Sequence, residues 1–282
     1  MRPLQWTKNA VVLAALVFGM RLVDPGSVWA ALLAAAAFCG ASSGGYLLND
    51  ALDREQDRRH PEKRFRPLAA GEIGVERALV AAVVLLVVAV GVTWAIRPAL
   101  AGVTLAYAFL MVGYSLVLKQ IVIVDVLVIA LGFVLRAVAG AIAIDVTISA
   151  WLLACTLLLA LFLGFGKRRH ELASAPAPVT QRRTLESYSL PLLDQLITIC
   201  ATATMAAYVL YTVEARGTTG QPGMLLTAPI VVYAVFRYLF LLHRKGGGGN
   251  PEVVIWSDLP LLAALLLWGG VCVAVLYVVG GV

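Results

Sequence analysis

Three oxygen-bearing side chains, Asn49, Asp53 and Asp57, recur every fourth residue where a long uncharged stretch, 25–49, gives way to a densely charged one. On a helix that spacing stacks them on one face, about 6 Å apart per step. Two carboxylates so placed repel each other, and the negative end of the helix dipole adds to the penalty. A bound divalent cation relieves both. Hard oxygen ligands, with one or two carboxylates and space left for waters and substrate phosphates, point to Mg2+. Asn49, Asp53 and Asp57 are therefore the candidate catalytic and metal-binding face. The other charges at this helix end have a simpler reading: Asp50 with Arg54, and Glu55 with Arg59, have the spacing of ordinary i,i+4 pairs. Those pairs leave the Asn49/Asp53/Asp57 face without an explanation.

The same stretch continues with His60, Pro61, Glu62, Lys63, Arg64, Phe65, Arg66 and Pro67. Cations beside a metal-binding face suit a diphosphate, since a metal bridges its oxygens while lysine and arginine take the remaining charge. Lys63, Arg64 and Arg66 are the candidate clamps. A second basic stretch opens KRRHEL at 167–172 and later reads RRTLESY at 182–188, with five cations and two acids, so it should receive anionic groups directly. Three ionisable residues, Asp125, Arg136 and Arg237, fall inside apolar runs, where they are costly and should face a cavity or each other. Arg136 is the deeper of the two arginines and the better candidate for a phosphate; Arg237 is close enough to a span end to snorkel. Lys8, after Gln5 and Trp6, reads either as an interfacial anchor or as a phosphate contact.

The elements that must position these residues are membrane helices. Of the 282 residues 61% are hydrophobic and 13% charged, with mean hydropathy +0.90, where soluble domains are nearer a quarter charged. At about twenty residues per span, nine all-α spans are expected: 9–23, 27–48, 77–96, 99–118, 121–144, 148–166, 192–213, 223–242 and 259–281, the first being short for a crossing and expected to begin earlier, partly in the interface. The expectation is one membrane domain over 1–282, its helices around a central cavity. Its long polar loops are 49–76, 167–191 and 243–258. Seventeen lysines and arginines fall on the side of the N-terminus and the long loops against three, Arg21, Arg97 and Arg216, on the other. By the positive-inside rule the N-terminus, the loops and the cavity mouth are expected on the cytoplasmic side. The first eight spans could form two four-helix halves. Pro176 and Pro178, and the glycine run 246–249, mark two candidate lids. Cys39, Cys155, Cys200 and Cys272 lie singly in apolar runs and read as packing residues. The N-terminal apolar run lacks a small-residue cleavage site and reads as a retained span. Although the pI is near 9.3, the basic excess lies in loops between spans, so no nucleic-acid partner is expected.

The run Asn49-Asp50-x-x-Asp53-x-x-x-Asp57, followed by Lys63-Arg64-Phe65-Arg66-Pro67-Leu68-x-x-Gly71, resembles the first signature of the UbiA-type intramembrane prenyltransferase superfamily. That superfamily's second acidic DxxxD motif is missing here, since 167–188 contains no aspartate and Asp194 stands alone. The departure is similar to one branch, the decaprenyl-phosphate phosphoribosyltransferases, in RPxQWxKN at 2–9, in HPxKRFRPxAAG, in KRxxEL and in RxxLxxY ending at Tyr188. The resemblance implies transfer of 5-phosphoribose from phosphoribosyl diphosphate to a polyprenyl phosphate such as decaprenyl phosphate. Diphosphate is released, and the product feeds cell-envelope arabinan precursors. It further implies that Lys167, Arg168, Glu171, Arg183 and Tyr188 bind the donor together with the first-loop cations, with Glu171 at the ribose hydroxyls. The lipid phosphate is expected near Lys8, Arg136 or Arg237. The acceptor phosphate is already ionised near neutral pH, so no general base is required. The remaining expected partner is the bilayer, with a homo-oligomer left open. Two other readings stay in view. An ordinary prenyltransferase with a prenyl diphosphate donor would need a second metal site, and a transporter would place its polar residues near the midplane.

Overall fold

The computed structural model describes residues 3–59, 61, 63–174, 183–218, 222–244 and 251–279. Arg2, His60, Glu62, Pro176, Pro178, Arg182 and the glycine run 246–249 lie outside the described residues, and so does the side chain of Arg183. Among the described residues there is no strand. The chain divides into two compact units, Met1–Thr147 with Ala177–Thr184, and Ile148–Pro176 with Leu185–Val282. The division therefore follows the fifth expected span rather than the fourth.

In the first unit, a 3-10 segment, Pro3–Asn9, leads into α1, Ala10–Phe18, where one span had been expected over 9–23. Helix α2, Pro25–Leu52, starts with proline at its first position and Asp24 as N-cap, whose carboxylate accepts from Gly26 N at 3.1 Å and Ser27 N at 3.3 Å. The Ser27 hydroxyl, with those two amides, holds the Asp24 carboxyl below its ordinary range. The run Gly40-Ala-Ser-Ser-Gly-Gly45 then strips side chains from α2 where α5, Val75–Ile96, lies along it. A Cβ on Gly44 would come within 2.9 Å of the Ala82 carbonyl oxygen. Close backbone approach of this kind supplies van der Waals contact that apolar burial cannot supply in lipid. Helix α6, Pro98–Leu116, and α7, Val124–Ala143, complete the unit, and α1 packs on α7 where Gly140 faces the Val12 backbone. Short helices α3, Arg54–Arg59, and α4, Pro67–Ala70, occupy the stretch between α2 and α5.

The second unit contains α8, Ala150–Ala173; α10, Leu190–Thr218; α11, Ala228–Arg244; α12, Pro251–Ser257; and α13, Leu259–Ala274, which runs into a π-helical turn, Val275–Val279, while the short α9, Arg183–Glu186, begins in the residues of the first unit and ends in those of the second. Helices α8 and α10 pack along each other. KRRHEL is not a loop, as its charge density suggested, but the last turns of α8, which runs through Ala173. Eight helical stretches among the described residues are long and apolar enough to cross a membrane. Val80, Val83, Val84 and Val87 on α5 are all exposed, as a lipid-facing surface requires. The protein is a multi-pass membrane protein.

Candidate active site

The acidic face is built across the junction of α2 and α3, which keeps its hydrogen-bond register. Asp53 closes α2 with its N–H on the Asn49 carbonyl at 2.9 Å, and the Asp57 N–H reaches the Asp53 carbonyl at 2.8 Å. The i,i+4 ladder thus continues across the junction and keeps Asn49, Asp53 and Asp57 on one face. The Asn49 side-chain amide donates to Asp53 Oδ2 at 2.9 Å. Asp57 is buried and receives Arg66 at 2.5 Å, and the same guanidinium nitrogen reaches Asp50 at 3.2 Å.

The HPEKRFRPLAAG stretch brings Arg66 back to the acids. Pro67 starts α4 and Gly71 ends it at φ 85, a left-handed C-cap position that glycine takes at no steric cost. Two arginines then fasten α3 to α4: Arg54 Nε donates to the Leu68 carbonyl at 3.1 Å and Arg58 Nε to the Ala69 carbonyl at 3.0 Å. Glu55 pairs with Arg58, three residues on, rather than with Arg59. Of the expected clamps, Arg66 is thus engaged by the acids, Lys63 is half-buried, and Arg64 is exposed with its guanidinium 4.7 Å from the centre of the exposed Phe65 ring.

Lys119 completes the cluster from the 3-10 turn Leu118–Gln120 between α6 and α7. Its ammonium donates to Asp53 Oδ1 at 2.5 Å and to Asn49 Oδ1 at 3.2 Å. This ammonium serves as a stand-in cation: two of the expected ligands already turn their oxygens toward one positive charge. Among the described residues no three His, Cys, Asp or Glu side chains gather at metal-ligating spacing. With the Asp53 carboxylate and the Asn49 amide oxygen turned to one charge, the residues present fit an ion bound by one or two carboxylates and an amide oxygen, with waters and substrate oxygens completing the shell, as Mg2+ prefers.

Deeper in the same unit, Arg136 lies about 18 Å along α7 from its start. It is 4% exposed, and its partners are neutral: Asn9 Oδ1 at 2.7 Å, Tyr107 OH at 2.7 Å and the Gly132 carbonyl at 3.0 Å. Its guanidinium carbon lies 4.7 Å from the Tyr107 ring centre and 5.3 Å from that of Phe133. The RPxQWxKN stretch supplies this site. Trp6 Nε1 donates to Ser43 Oγ at 3.1 Å, and Asn9 Nδ2 reaches Cys39 Sγ at 3.1 Å, which docks the segment on α2 and aims the Asn9 oxygen at Arg136. Lys8 is half-buried beside it, and Asp125 is fully buried in the first turn of α7.

In the second unit, Arg168 is buried and pairs with Glu171 one turn on, while Arg169 pairs with Asp194. Lys167 is half-buried. Arg183 opens α9, and Leu185 and Tyr188 behind it are both buried, so the RxxLxxY spacing anchors this segment by its apolar members. Arg237 grips Asp258 with two parallel bonds, Nε at 3.0 Å and Nη2 at 2.8 Å. Asp258 also caps α13 through the Leu261 N–H, so Arg237 has a structural partner where the sequence suggested a substrate phosphate. Sequence reasoning missed Lys119, Asn9, Tyr107, Asp194 and Asp258 as site or partner residues. Lys119 was visible as a cation in the two-residue gap between the spans expected at 99–118 and 121–144, and Asn9 as the last member of RPxQWxKN.

The UbiA prenyltransferase family matches residues 10–257. The decaprenyl-phosphate phosphoribosyltransferase of Corynebacterium glutamicum is 34% identical over 99% of this chain and 86% of its own length. The enzyme of the same name from Mycobacterium tuberculosis is 35% identical over 95% of this chain and 89% of its own. Among solved structures, a UbiA homolog from Archaeoglobus fulgidus bound to GPP and Mg2+ superposes with a TM-score of 0.75 at 18% identity, covering 98% of both chains. The chain belongs to the UbiA prenyltransferase family, within the branch it shares with the decaprenyl-phosphate phosphoribosyltransferases.

Proposed function

We propose that this protein transfers 5-phosphoribose from 5-phosphoribosyl 1-diphosphate to a polyprenyl phosphate, decaprenyl phosphate being the reference acceptor, with release of diphosphate. The observation that carries the reading is the Asn49/Asp53/Asp57 face with cations already seated on it. It lies at the end of a membrane helix, in a chain that matches the named phosphoribosyltransferases over nearly their whole length. The anomeric C1–O bond to diphosphate breaks and an oxygen of the lipid phosphate forms the new bond to C1. Asn49, Asp53 and Asp57 would hold Mg2+, which when bound offsets the charge of the departing diphosphate. Asp57 keeps Arg66 beside the same oxygens, and Lys63 and Arg64 extend the positive surface for the donor. Lys167, Arg168 and Arg183, with Glu171 and Tyr188, are assigned to the phosphate and hydroxyls of the ribose. With no proton to remove from an ionised acceptor, the rate rests on placement of C1 and on neutralising the leaving group.

The lipid phosphate is assigned to Arg136, with Lys8 nearer the membrane edge. Three of the five Arg136 N–H groups are bonded to neutral acceptors among the described residues, which leaves donors for an oxyanion. Arg237 is the less suited candidate because its fork is closed on Asp258. The segment 3–18 has a helical rise of about 27 Å, close to the hydrocarbon thickness of about 30 Å, and is assigned as a ninth crossing. The N-terminus, loops and cavity mouth are assigned to the cytoplasmic side of a bacterial inner membrane. A prenyl diphosphate donor is the competing reading, GPP being the ligand of the Archaeoglobus fulgidus homolog. Diphosphate release is to be measured with polyprenyl phosphate and either phosphoribosyl diphosphate or geranyl diphosphate as donor. Release with the first alone is expected; release with the second alone overturns the assignment.

A further inference from the structure

Lys119 is the cation the sequence pattern did not place, and it occupies the oxygens the metal would need. Both carboxylate oxygens of Asp53 are committed, Oδ1 to the Lys119 ammonium at 2.5 Å and Oδ2 to the Asn49 amide at 2.9 Å. The Asn49 oxygen also faces Lys119, at 3.2 Å. Lys119 arrives from far along the chain on the 3-10 turn Leu118–Gln120, and the backbone that leads from this turn into α7 is strained at Ile123, which has φ 69 and ψ −46. A β-branched residue rarely takes that backbone conformation, and such strain persists only where surrounding structure imposes it. The side chain is 14% exposed, so its charge is only weakly shared with water and is held by these oxygens.

We propose that Lys119 is the built-in competitor of the metal: its ammonium neutralises the Asn49–Asp53 oxygens until a divalent cation takes its place. The inference rests on the metal-binding reading of that face. Loading is an exchange of one cation for another within a single set of oxygens, so the apparent metal affinity falls by the fraction of molecules in which the ammonium has left. A released ammonium needs a new anion, and the phosphate oxygens of an incoming donor supply one. Metal binding and donor binding are thereby coupled, and the acidic face is kept from holding a divalent ion when no donor is present. A charge-assisted hydrogen bond of this kind corresponds to about tenfold in apparent affinity.

The test is titration of Mn2+ into the full-length protein in phosphatidylcholine nanodiscs, with free Mn2+ followed by electron paramagnetic resonance. Lys119→Met should bind Mn2+ about tenfold more tightly than the unmodified protein, while Lys119→Arg should not. Lys119→Gln carries the same expectation as Lys119→Met and replaces it if that variant does not fold. Asp53→Asn should lose the binding. Loss in Asp53→Asn with no tightening in either neutral Lys119 variant overturns the competition and leaves the metal face standing. Equal binding by Asp53→Asn and the unmodified protein overturns the metal face itself.

Discussion

A guanidinium with only neutral partners inside a membrane helix makes an asymmetric stability prediction for the two ends of its hydrogen bonds. Burying Arg136 costs several kcal/mol of hydration, and no carboxylate among the described residues repays it. Replacing it with an apolar side chain of similar length removes that penalty together with three hydrogen bonds. Arg136→Met is therefore expected to be close to neutral, because relief of that penalty is offset by leaving the buried Asn9 oxygen and Tyr107 hydroxyl without their donor. Asn9→Leu does the reverse: it keeps the charge, removes the 2.7 Å bond to Nε and should cost about 2 kcal/mol, the range for orphaning a buried donor to a charged group. The two effects must be coupled, because Asn9→Leu has little left to damage once the guanidinium is gone. In the double variant, the cost of the Asn9 change should fall below about 0.5 kcal/mol, well short of additivity. Unfolding by sodium dodecyl sulfate in mixed micelles, followed by tryptophan fluorescence, gives all four corners of the cycle. An Asn9→Leu cost that is the same with Met at position 136 would refute the argument. A stable but inactive Arg136→Met would mean that the arginine is kept for its ligand rather than for stability.

Three further outcomes follow from single features. Gly140→Ala places a methyl group against the Val12 backbone and should destabilise the α1–α7 contact by about 2 kcal/mol in the same assay, whereas Gly102→Ala, with open space around it, should have no such effect. The Asp24 carboxyl titrates below its unfolded value, so its contribution is present above about pH 4 and lost as the pH falls through the folded pKa. Asp24→Asn should accordingly destabilise at pH 7, with the difference from the unmodified protein shrinking as the pH falls below about 4 in thermal unfolding. Arg237→Lys keeps the charge but loses the fork on Asp258. It should lower stability by about 1 kcal/mol with KM for both substrates unchanged, and a raised KM for the lipid would instead make Arg237 a substrate contact.

The spans were legible because hydropathy and length are nearly sufficient in a bilayer: α5, expected over 77–96, occupies Val75–Ile96, and α7, expected over 121–144, occupies Val124–Ala143. The acidic face was legible because one helical period spaces Asn49, Asp53 and Asp57. The first span was legible only in part: its shortness implied a start before residue 9, but the run at 9–23 carries no signal that the approach is a 3-10 segment or that Met20 closes it at φ 54. KRRHEL was misread because charge marks water rather than the end of a helix, and α8 continues past the apolar run. Partner choice was the least visible. Lys119 meets Asp53 across 66 residues and Arg136 meets Asn9 across 127, and neither pairing leaves a local pattern. The same holds for Arg237, whose cost in an apolar run was plain while its relief by Asp258 depended on how α13 is capped.

The central claim is tested most directly by the mass of the lipid product. Purified protein with Mg2+, decaprenyl phosphate and phosphoribosyl diphosphate should yield a lipid heavier by one phosphoribosyl unit. The product should be absent without the donor and absent or sharply reduced in Asp53→Asn and Asp57→Asn variants that remain folded. An unchanged lipid from active, folded protein, or a phosphoribosyl product that forms equally well in both aspartate variants, would contradict the account.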